Sequence, residues 1–322
     1  MYDSILKFAE QLTFVAEVKN GHVDSAGKKI ILAGMGGSHL AADMLRFANP
    51  HLDIFVHNSY GLPDLPHEVL VESVLIASSY SGNTEETLDF LSCSLREGFR
   101  PSVIASGGKL LSLAKAESLP YIQIPDTIIQ PRVAVGESFI ALLTLLNQVH
   151  LLEEMRIVSK TFKPKTLEGE GKRIADMLKN RIPLIYTSLE HHTIAYNWKI
   201  KINETARIPV FMNVFPELNH NELAGFMLDT SAPQAPFTLV LLTDDKDDSR
   251  VSKRMNITED LLKEKGIPCI RVPLVGANPL EKAFTSLVLA DWTAYHLALA
   301  YNLNPDENPA VEEFKKRMKE SK

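Results

Sequence analysis

One stretch in the first half of the chain, where an apolar segment turns into a helix through a hydroxyl-rich loop, constrains the fold most. Residues 73–78 (Ser-Val-Leu-Ile-Ala-Ser) are typical of a strand that is buried on both faces. The loop that follows contains Ser79, Ser81, Gly82, Asn83 and Thr84. Two glutamates then open a helical pattern, at the end of a helix where the dipole favours acids. A strand, a short loop and a helix in this order predict an α/β unit.

This alternation of strand and helix occurs in two runs of similar length. The first run ends in a long apolar helix, predicted from residue 133 to about 154. A charged and weakly hydrophobic segment at 160–171 predicts a linker, and the second run ends in a helix at 309–318. Alternating strands and helices need parallel sheets that are covered on both faces. We therefore predict an α/β protein with two similar doubly wound parallel-sheet domains, residues 1–158 and 159–322, the second ending in a C-terminal helix.

Composition restricts the class of protein. The 322 residues carry a net charge of −6, which does not favour binding to nucleic acid or to an anionic membrane. No apolar run approaches the roughly 18 residues that span a bilayer, and the N-terminus lacks the basic and apolar segments of a signal peptide. Cys93 and Cys269 lie far apart without metal-type spacing, which is typical of free thiols in a reducing compartment. We predict a cytoplasmic protein.

Two loops that follow predicted strands are candidate anion sites. Backbone N–H groups at a helix start and the hydroxyls of residues 79–84 suit a phosphate dianion, although a simple helix N-cap would also explain them. This loop lacks Gly-Lys-Ser/Thr, so it is not a Walker-type nucleotide loop. The other loop, residues 34–38 (Gly-Met-Gly-Gly-Ser), is followed by His39, and the next strand ends in His57, which departs from a dinucleotide fingerprint. The predicted ligand is a phosphorylated metabolite.

Five motifs and a closing pattern together resemble a known family. Residues 34–38, 79–87 and 130–132 (Gln-Pro-Arg) resemble a sugar-isomerase (SIS) domain. Residues 203–209 (Asn-Glu-Thr-Ala-Arg-Ile-Pro) and 216–222 (Pro-Glu-Leu-Asn-His-Asn-Glu) resemble the bifunctional phosphoglucose/phosphomannose isomerase family. The closing pattern of that family is similar to Asn308-Pro309 and Phe314-Lys315. The resemblance extends from about residue 30 to residue 318.

The resemblance implies reversible aldose–ketose isomerisation of glucose 6-phosphate or mannose 6-phosphate with fructose 6-phosphate, through a cis-enediol(ate). It also implies no metal, no redox cofactor, and a homodimer with shared active sites. The residues that it implies are phosphate contacts at Gly37, Ser38, Ser79, Ser81 and Thr84, a catalytic base at Glu204, ring opening by His220 and Lys315, and an arginine beside the reacting carbons at Arg132. The chain departs from the family at His39, where a small residue is usual, and at Asn308, where Thr is common.

Two of these residues have ordinary structural interpretations as well. Glu204 falls on the helical stripe of Tyr196 and Ile200, which suits a base whose pKa is raised by burial, but it could also be a surface acid paired with a nearby lysine or arginine. His220 follows a strand in a polar loop, where imidazole can transfer a proton near neutral pH. It could equally be a capping or solvent-exposed histidine.

The two cations also leave alternatives open. Arg132 precedes an apolar helix, where a cation is mildly unfavourable against the dipole, so either an anion lies nearby or Arg132 is a plain surface residue. Val311, Phe314 and Met318 form the apolar stripe of the last helix, and Lys315 lies on that side, one turn from Val311. Lys315 is therefore a candidate site residue, or its aliphatic stem covers the edge of a core.

Two other functions compete with this one. An isomerase for another sugar phosphate would share the first-half loops, but it does not readily explain Glu204 and His220 together. A non-catalytic phosphosugar sensor would bind the ligand and signal to a partner. Such a sensor is expected to carry an added DNA-binding or partner-binding domain, which is not evident in this sequence, and it would tolerate loss of Glu204, which is present.

Overall fold

The computed structural model describes residues 1–126, 130–227 and 235–320. The chain divides into two compact units, one comprising Leu6–Lys163 and the other combining Met1–Ile5 with Pro164–Lys322. Each unit contains one parallel sheet, which confirms the predicted α/β fold with two doubly wound sheets. None of the helices in the described ranges is both long enough and apolar enough to cross a bilayer.

A five-stranded sheet forms the centre of the first unit. Its strands are β1 (Ile30–Ala33), β2 (Ile54–His57), β3 (Val74–Ser79), β4 (Ser102–Ala105) and β5 (Tyr121–Gln123). They pair in parallel in the order β2-β1-β3-β4-β5. All residues of β1, β3 and β4 are buried, as expected for central strands that are covered on both faces.

Helices precede, connect and follow these strands in sequence, and they supply much of the apolar core. In this half of the chain they are α1 (Tyr2–Leu6), α2 (Phe8–Gln11), α3 (Leu40–Ala48), α4 (His67–Glu72), α5 (Glu85–Arg96), α6 (Gly108–Ala116), α7 (Val135–Leu145) and α8 (Val149–Thr161). Phe90 and Leu91 of α5 and Leu110 and Leu111 of α6 form a buried cluster with residues of β1, β3, β4 and β5. The amphipathic spacing of these helices therefore places their apolar sides on the sheet.

The order of the strands determines where loops can form a site. The chain moves from β1 outward to β2, then returns across β1 to β3 and continues outward on the other side. The connections after β1 and β3 therefore diverge and leave a crevice at the carboxyl ends of two adjacent strands, where α/β proteins bind ligands. The two predicted anion loops, residues 34–38 and 79–84, follow these two strands.

The second unit repeats the arrangement with four strands. They are β6 (Ile182–Ser188), β7 (Phe211–Phe215), β8 (Phe237–Thr243) and β9 (Cys269–Pro273), all parallel in the order β7-β6-β8-β9. The helices of this half are α9 (Glu168–Leu178), α10 (His192–Thr205), α11 (Ser249–Glu264), α12 (Pro279–Ala300) and α13 (Pro309–Glu320). The strand order again reverses, here between β6 and β8.

The long helix predicted from 133 to about 154 is wrong, because the structure has two helices, α7 and α8, in its place. The break lies at Asn147, which has a left-handed φ of 52°. The N–H of Gln148 donates to the carbonyl of Leu143 at 2.8 Å, which closes the end of α7. Asn is one of the few residues that tolerate this conformation, and the apolar pattern continues across the break, so hydrophobic spacing alone does not reveal it.

Helices α9 and α12 approach each other closely at a glycine. A methyl group at Gly171 would lie 2.4 Å from the Cβ of Trp292 and 3.0 Å from the backbone nitrogen of Thr293. Trp292 is fully buried, and its indole N–H donates to the carbonyl of Pro164 at 2.8 Å, so the ring cannot easily move away. Gly171 therefore sets the distance between the two helices.

We expect Gly171→Ala to lower the stability of the second unit by about 1–3 kcal/mol, because an extra methyl group would overpack the helix interface. Gly169→Ala, on the same helix but with open space around its Cβ, is the matched control and should leave stability unchanged or slightly higher. Thermal unfolding of the two variants measures the difference. Equal melting temperatures would show that the interface has room for the methyl group.

Candidate active site

The loops after β1 and β3 are joined directly through Ser38. The backbone N–H of Tyr80 donates to Ser38 Oγ at 3.1 Å, and Ser78 Oγ donates to the carbonyl of Ser38 at 3.0 Å. A hydroxyl that accepts from an N–H still has its own proton to donate. Ser38 is thus fixed in place by the end of β3 and retains a hydrogen for an anion.

Residues 130–132 lie against the first of these loops. A Cβ at Gly37 would lie 3.0 Å from the carbonyl oxygen of Pro131 and 3.3 Å from the backbone nitrogen of Arg132, so only glycine fits there easily. Arg132 is buried at 2% exposure, and its Nη1 lies 3.4 Å from Gln130 Oε1. Three motifs that are far apart in sequence therefore meet at one edge of the first sheet, and the interpretation of Arg132 as a plain surface residue is wrong.

Inside the loop after β3, the hydroxyls have different surroundings. Ser79 is buried, and its Oγ forms a 2.8 Å hydrogen bond with Thr84 Oγ1 and accepts the N–H of Gly82 at 3.1 Å. Ser81 is exposed, and its Oγ accepts the N–H of Asn83 at 3.3 Å. Thr84 stands at the N-cap of α5, yet its hydroxyl makes no capping hydrogen bond. Ser79 therefore organises the loop, whereas Ser81 and Thr84 are more accessible to a ligand.

A third loop, which follows β4, supports the loop after β3 and was not anticipated from the sequence. Gly82 has a φ of 65°, and a Cβ there would lie 1.8 Å from the carbonyl oxygen of Gly107. The N–H of Leu110 donates to the carbonyl of Gly82 at 2.9 Å, and Ser106 Oγ donates to the carbonyl of Tyr80 at 2.6 Å. The Gly107-Gly108 pair, which begins two residues after the end of β4, is the signal that could have revealed this close approach.

His39, which departs from the pattern of the resembled family, is buried beside an acid of its own helix. It is 5% exposed, and its Nδ1 lies 2.7 Å from Asp43 Oδ2, one turn along α3. Asp43 also lies 3.6 Å from the guanidinium of Arg46. The larger side chain is therefore accommodated by an acid on its own helix.

In the second unit, Glu204 is half-buried in the last turn of α10. Lys201, one turn earlier, donates from Nζ to Asp291 Oδ1 at 2.6 Å, and both residues are fully buried. Arg207 follows the end of the helix with a φ of 57°, and its Nη2 donates at 2.9 Å to the carbonyls of Asn304 and Glu307. These contacts tie the helix of Glu204 to α12 and to the segment that precedes α13.

His220 is exposed at the end of a 3₁₀ turn, Glu217–His220, beyond the carboxyl end of β7. Its neighbours are anchored, because Asn219 Nδ2 donates to Thr258 Oγ1 and Asn221 Nδ2 donates to Glu217 Oε1, both at 2.8 Å. The imidazole itself takes part in no hydrogen bond or ion pair between residues of the described ranges. An open histidine in an anchored turn is well placed to meet a ligand.

Lys315 lies on α13 and is exposed. Val311, Phe314 and Met318, the apolar stripe of this helix, are also exposed, at 41%, 64% and 42%. The stem of Lys315 therefore has no buried core beneath it in the described part of the chain, and the interpretation in which it covers a core edge is wrong.

The fold and its comparison with known proteins together define the class of protein. The chain has two parallel sheets, and hydroxyl-rich and glycine-rich loops lie at the strand-order reversal of the first. A hypothetical protein from Thermus thermophilus has the same fold, with a TM-score of 0.73, 17% identity, and coverage of 99% of this chain and 90% of that chain. Residues 167–318 match the family model described as the bacterial phospho-glucose isomerase C-terminal SIS domain.

Sequence relatives narrow this class to one family. A bifunctional phosphoglucose/phosphomannose isomerase from Caldicellulosiruptor bescii is 32% identical over the full length of both chains. Another, from Aquifex aeolicus, is 31% identical over 91% of each chain. The chain belongs to the bifunctional phosphoglucose/phosphomannose isomerase family, which confirms the resemblance drawn from the five motifs.

A further carboxyl group lies close in sequence to Arg132. Glu137, in the first turn of α7, is 5% exposed, and its Oε2 has no hydrogen-bond partner among the described residues. Desolvation by burial raises the pKa of Glu137 to about 7. The folded protein therefore binds a proton here that the unfolded chain releases near pH 4.5.

This difference makes stability depend on pH. Because the folded pKa of Glu137 is the higher one, the contribution of this group to stability falls as the pH rises from about 4.5 to about 7. We expect Glu137→Gln to remove that loss and to stabilise the protein at pH 8 by about 1–3 kcal/mol, with little effect at pH 5. Melting temperatures at the two pH values test this, with the exposed Glu153→Gln on α8 as the control. A Glu137→Gln variant that is no more stable than wild type at pH 8 would contradict the expectation.

Proposed function

We propose that this chain catalyses the reversible aldose–ketose isomerisation of glucose 6-phosphate and mannose 6-phosphate with fructose 6-phosphate. The observation that carries the proposal is the 32% identity over the full length of a protein named bifunctional phosphoglucose/phosphomannose isomerase. The joined loops of the first sheet are consistent with a phosphorylated substrate. A coupled assay with fructose 6-phosphate, scored for both epimeric products, tests this activity directly.

The phosphate group is assigned to the loops after β1 and β3. Gly37 allows close backbone approach, Ser38 donates its hydroxyl proton, and Ser81 and Thr84 offer two further hydroxyls. Ser79 holds the loop in shape through Thr84 and the N–H of Gly82. The start of α5 adds the favourable end of a helix dipole. In this proposal the phosphate loops belong to the N-terminal SIS domain.

The chemical step is assigned to the second unit and Arg132. Isomerisation moves a proton between C1 and C2, so one base, Glu204, must serve both carbons from one face of a cis-enediol(ate). Arg132 stabilises the negative charge that develops on the oxygens of this intermediate. His220 and Lys315 transfer the protons that open the sugar ring. As the family resemblance implies, no step uses a metal or a redox cofactor.

The positions of Glu204 and His220 within one unit support a shared site. Helix α10 ends near the amino end of the sheet, β7 then runs to the carboxyl end, and His220 follows. The five residues of β7, at about 3.3 Å each, separate the two side chains by roughly 15–20 Å. The reacting end of one hexose cannot contact both. We therefore propose a symmetric dimer in which His220 of one chain serves Glu204 of the other.

Phosphate recognition can be tested at its two accessible hydroxyls. We expect Ser81→Ala/Thr84→Ala to raise KM for fructose 6-phosphate at least about tenfold, because each hydrogen bond to a charged group contributes about 1.5–3 kcal/mol. The matched control is Ser92→Ala/Ser112→Ala, which removes two exposed hydroxyls on α5 and α6. An unchanged KM in the folded Ser81/Thr84 variant would rule out this phosphate site.

The base can be tested with an isosteric change. We expect Glu204→Gln to lower kcat by about 10²-fold or more with little change in KM, because the amide cannot accept the C–H proton. The exposed Glu264→Gln at the end of α11 is the control. Wild-type activity should survive dialysis against EDTA. Full activity of the Glu204→Gln variant would disprove the role of the base, and loss on chelation would disprove the metal-free mechanism.

Complementation tests the shared site. Inactive Glu204→Gln and His220→Ala proteins are mixed under conditions that exchange subunits. Each heterodimer then has one centre with both residues intact, so activity should recover towards about a quarter of the wild-type value if mixing is random. If heterodimers form and the mixture stays inactive, both residues act within one chain.

A further inference from the structure

A half-buried carboxylate links the segment that carries His220 to the sheet by hydrogen bonds. Glu222, two residues after His220, receives a hydrogen bond on each of its two oxygens. Tyr186 OH donates to Oε1, and Asn213 Nδ2 donates to Oε2. A carboxylate with a separate donor on each oxygen is held in both position and orientation.

The two donors are set side by side by the sheet. Tyr186 of β6 and Asn213 of β7 are directly opposite each other in the parallel pairing of these strands. Tyr186 is 1% exposed, and its ring packs edge-on against Phe215 with centroids 6.3 Å apart. Asn213 is fixed as well, because its Oδ1 accepts the N–H of Val214 at 2.8 Å. Both donors are therefore held by contacts other than those with Glu222.

The protonation state of the donor supports this arrangement. Desolvation by burial, together with the hydrogen bond to Glu222, raises the pKa of Tyr186 well above its usual value. The phenol thus keeps its proton at any working pH and remains a donor. Removal of either donor would leave one oxygen of the half-buried Glu222 carboxylate without its hydrogen bond from the sheet, which should loosen the segment.

The residues on both sides of His220 are held by hydrogen bonds as well. Asn219 is bonded to Thr258 on one side, and Asn221 is bonded to Glu217 and accepts the N–H of Glu222 on the other. Residues 217–226 make several side-chain hydrogen bonds. Within the described residues, those that connect this segment to the strands are the two of Glu222. Leu218 of the same turn also packs in the buried cluster with residues of β6, β7 and β8. The hydrogen bonds of Glu222 therefore add a directional polar link to this apolar contact and help to orient the turn on the sheet.

We propose that Glu222, held by Tyr186 and Asn213, is a positioning residue that places His220 for ring opening. This inference rests on the proposed function and deepens it. In ring opening the anomeric hydroxyl loses its proton, its electrons form the carbonyl, the bond from the anomeric carbon to the ring oxygen breaks, and the ring oxygen gains a proton. The base Glu204 takes no part in this step, so the two steps can be measured separately.

The test uses Tyr186→Phe, which keeps the buried ring and removes one hydrogen bond to Glu222. Enzyme-catalysed exchange between the α and β anomers of glucose 6-phosphate is measured by NMR magnetisation transfer, since each exchange requires one ring opening. We expect a loss of about tenfold or more in anomer exchange, because small displacements of a catalytic group have large effects on rate. Glu204→Gln should retain anomer exchange while losing deuterium incorporation from solvent at C2.

Matched variants separate positioning from general damage. Tyr301→Phe removes a hydrogen bond to the backbone of Asn180 in the same unit, before the amino end of β6, and should leave anomer exchange unchanged. Tyr186→Phe combined with His220→Ala should be no slower than His220→Ala alone, because both changes act on one group. If Tyr186→Phe does not fold, Asn213→Ala removes the other donor to Glu222 and serves in its place.

The possible outcomes are distinct. Slow anomer exchange in Tyr186→Phe with a wild-type KM for isomerisation, and non-additivity with His220→Ala, supports the inference. Wild-type anomer exchange in the folded Tyr186→Phe variant, or in His220→Ala, overturns it while leaving the isomerase activity standing. A wild-type protein that neither isomerises nor anomerises the sugar phosphates would instead overturn the proposed function and the inference with it.

Discussion

The candidate site depends on the pair of hydrogen bonds that joins Ser38 to the end of β3. The connections after β1 and β3 diverge at the strand-order reversal, so without a link between them each loop would be positioned independently. The link places the 34–38 loop against the 79–84 loop. The backbone of residues 131 and 132 then packs closely against Gly37, and the loop after β4 packs closely against Gly82. The two loops, residues 131–132 and the loop after β4 are thus arranged around the hydrogen bonds of Ser38.

The second unit uses the corresponding place in a different way. At the reversal between β6 and β8, Ser188 bonds to His191 at 2.6 Å, and Lys282 bonds to Asp244 at 2.7 Å. The carboxylate of Asp244 thus meets a lysine of the same chain, where the first unit presents hydroxyls that could meet an external anion. The proposed chemical groups of this unit lie elsewhere, at the end of α10 and beyond β7. Two similar folds therefore carry different parts of the proposed reaction, consistent with the principle that function resides in sites rather than in folds.

Much of the fold could be predicted because its signals are local. The apolar runs of β1 and β3, the acids that open α5 and the periodicity of α10 each depend on residues close in sequence. The division between α7 and α8 could not be predicted, because Asn147 interrupts the helix without interrupting the apolar pattern. The hydrogen bonds from Tyr186 and Asn213 to Glu222 could not be predicted from the sequence either. They depend on two strands being adjacent, which a sequence pattern does not specify.

By itself, the sequence determined the α/β class, the two parallel sheets and the family, because strand and helix periodicity and five ordered motifs are readable along one chain. It also identified the residues proposed for phosphate binding and catalysis. Only the tertiary structure decided which of these residues are buried, which are fixed by hydrogen bonds, and which residues make those bonds. Ser79 proved to be a buried organiser, Arg132 is enclosed beside Gly37, and His220 is open in an anchored turn. The reason is physical: exposure and hydrogen bonding are set by segments distant in sequence, which meet only when the sheets form.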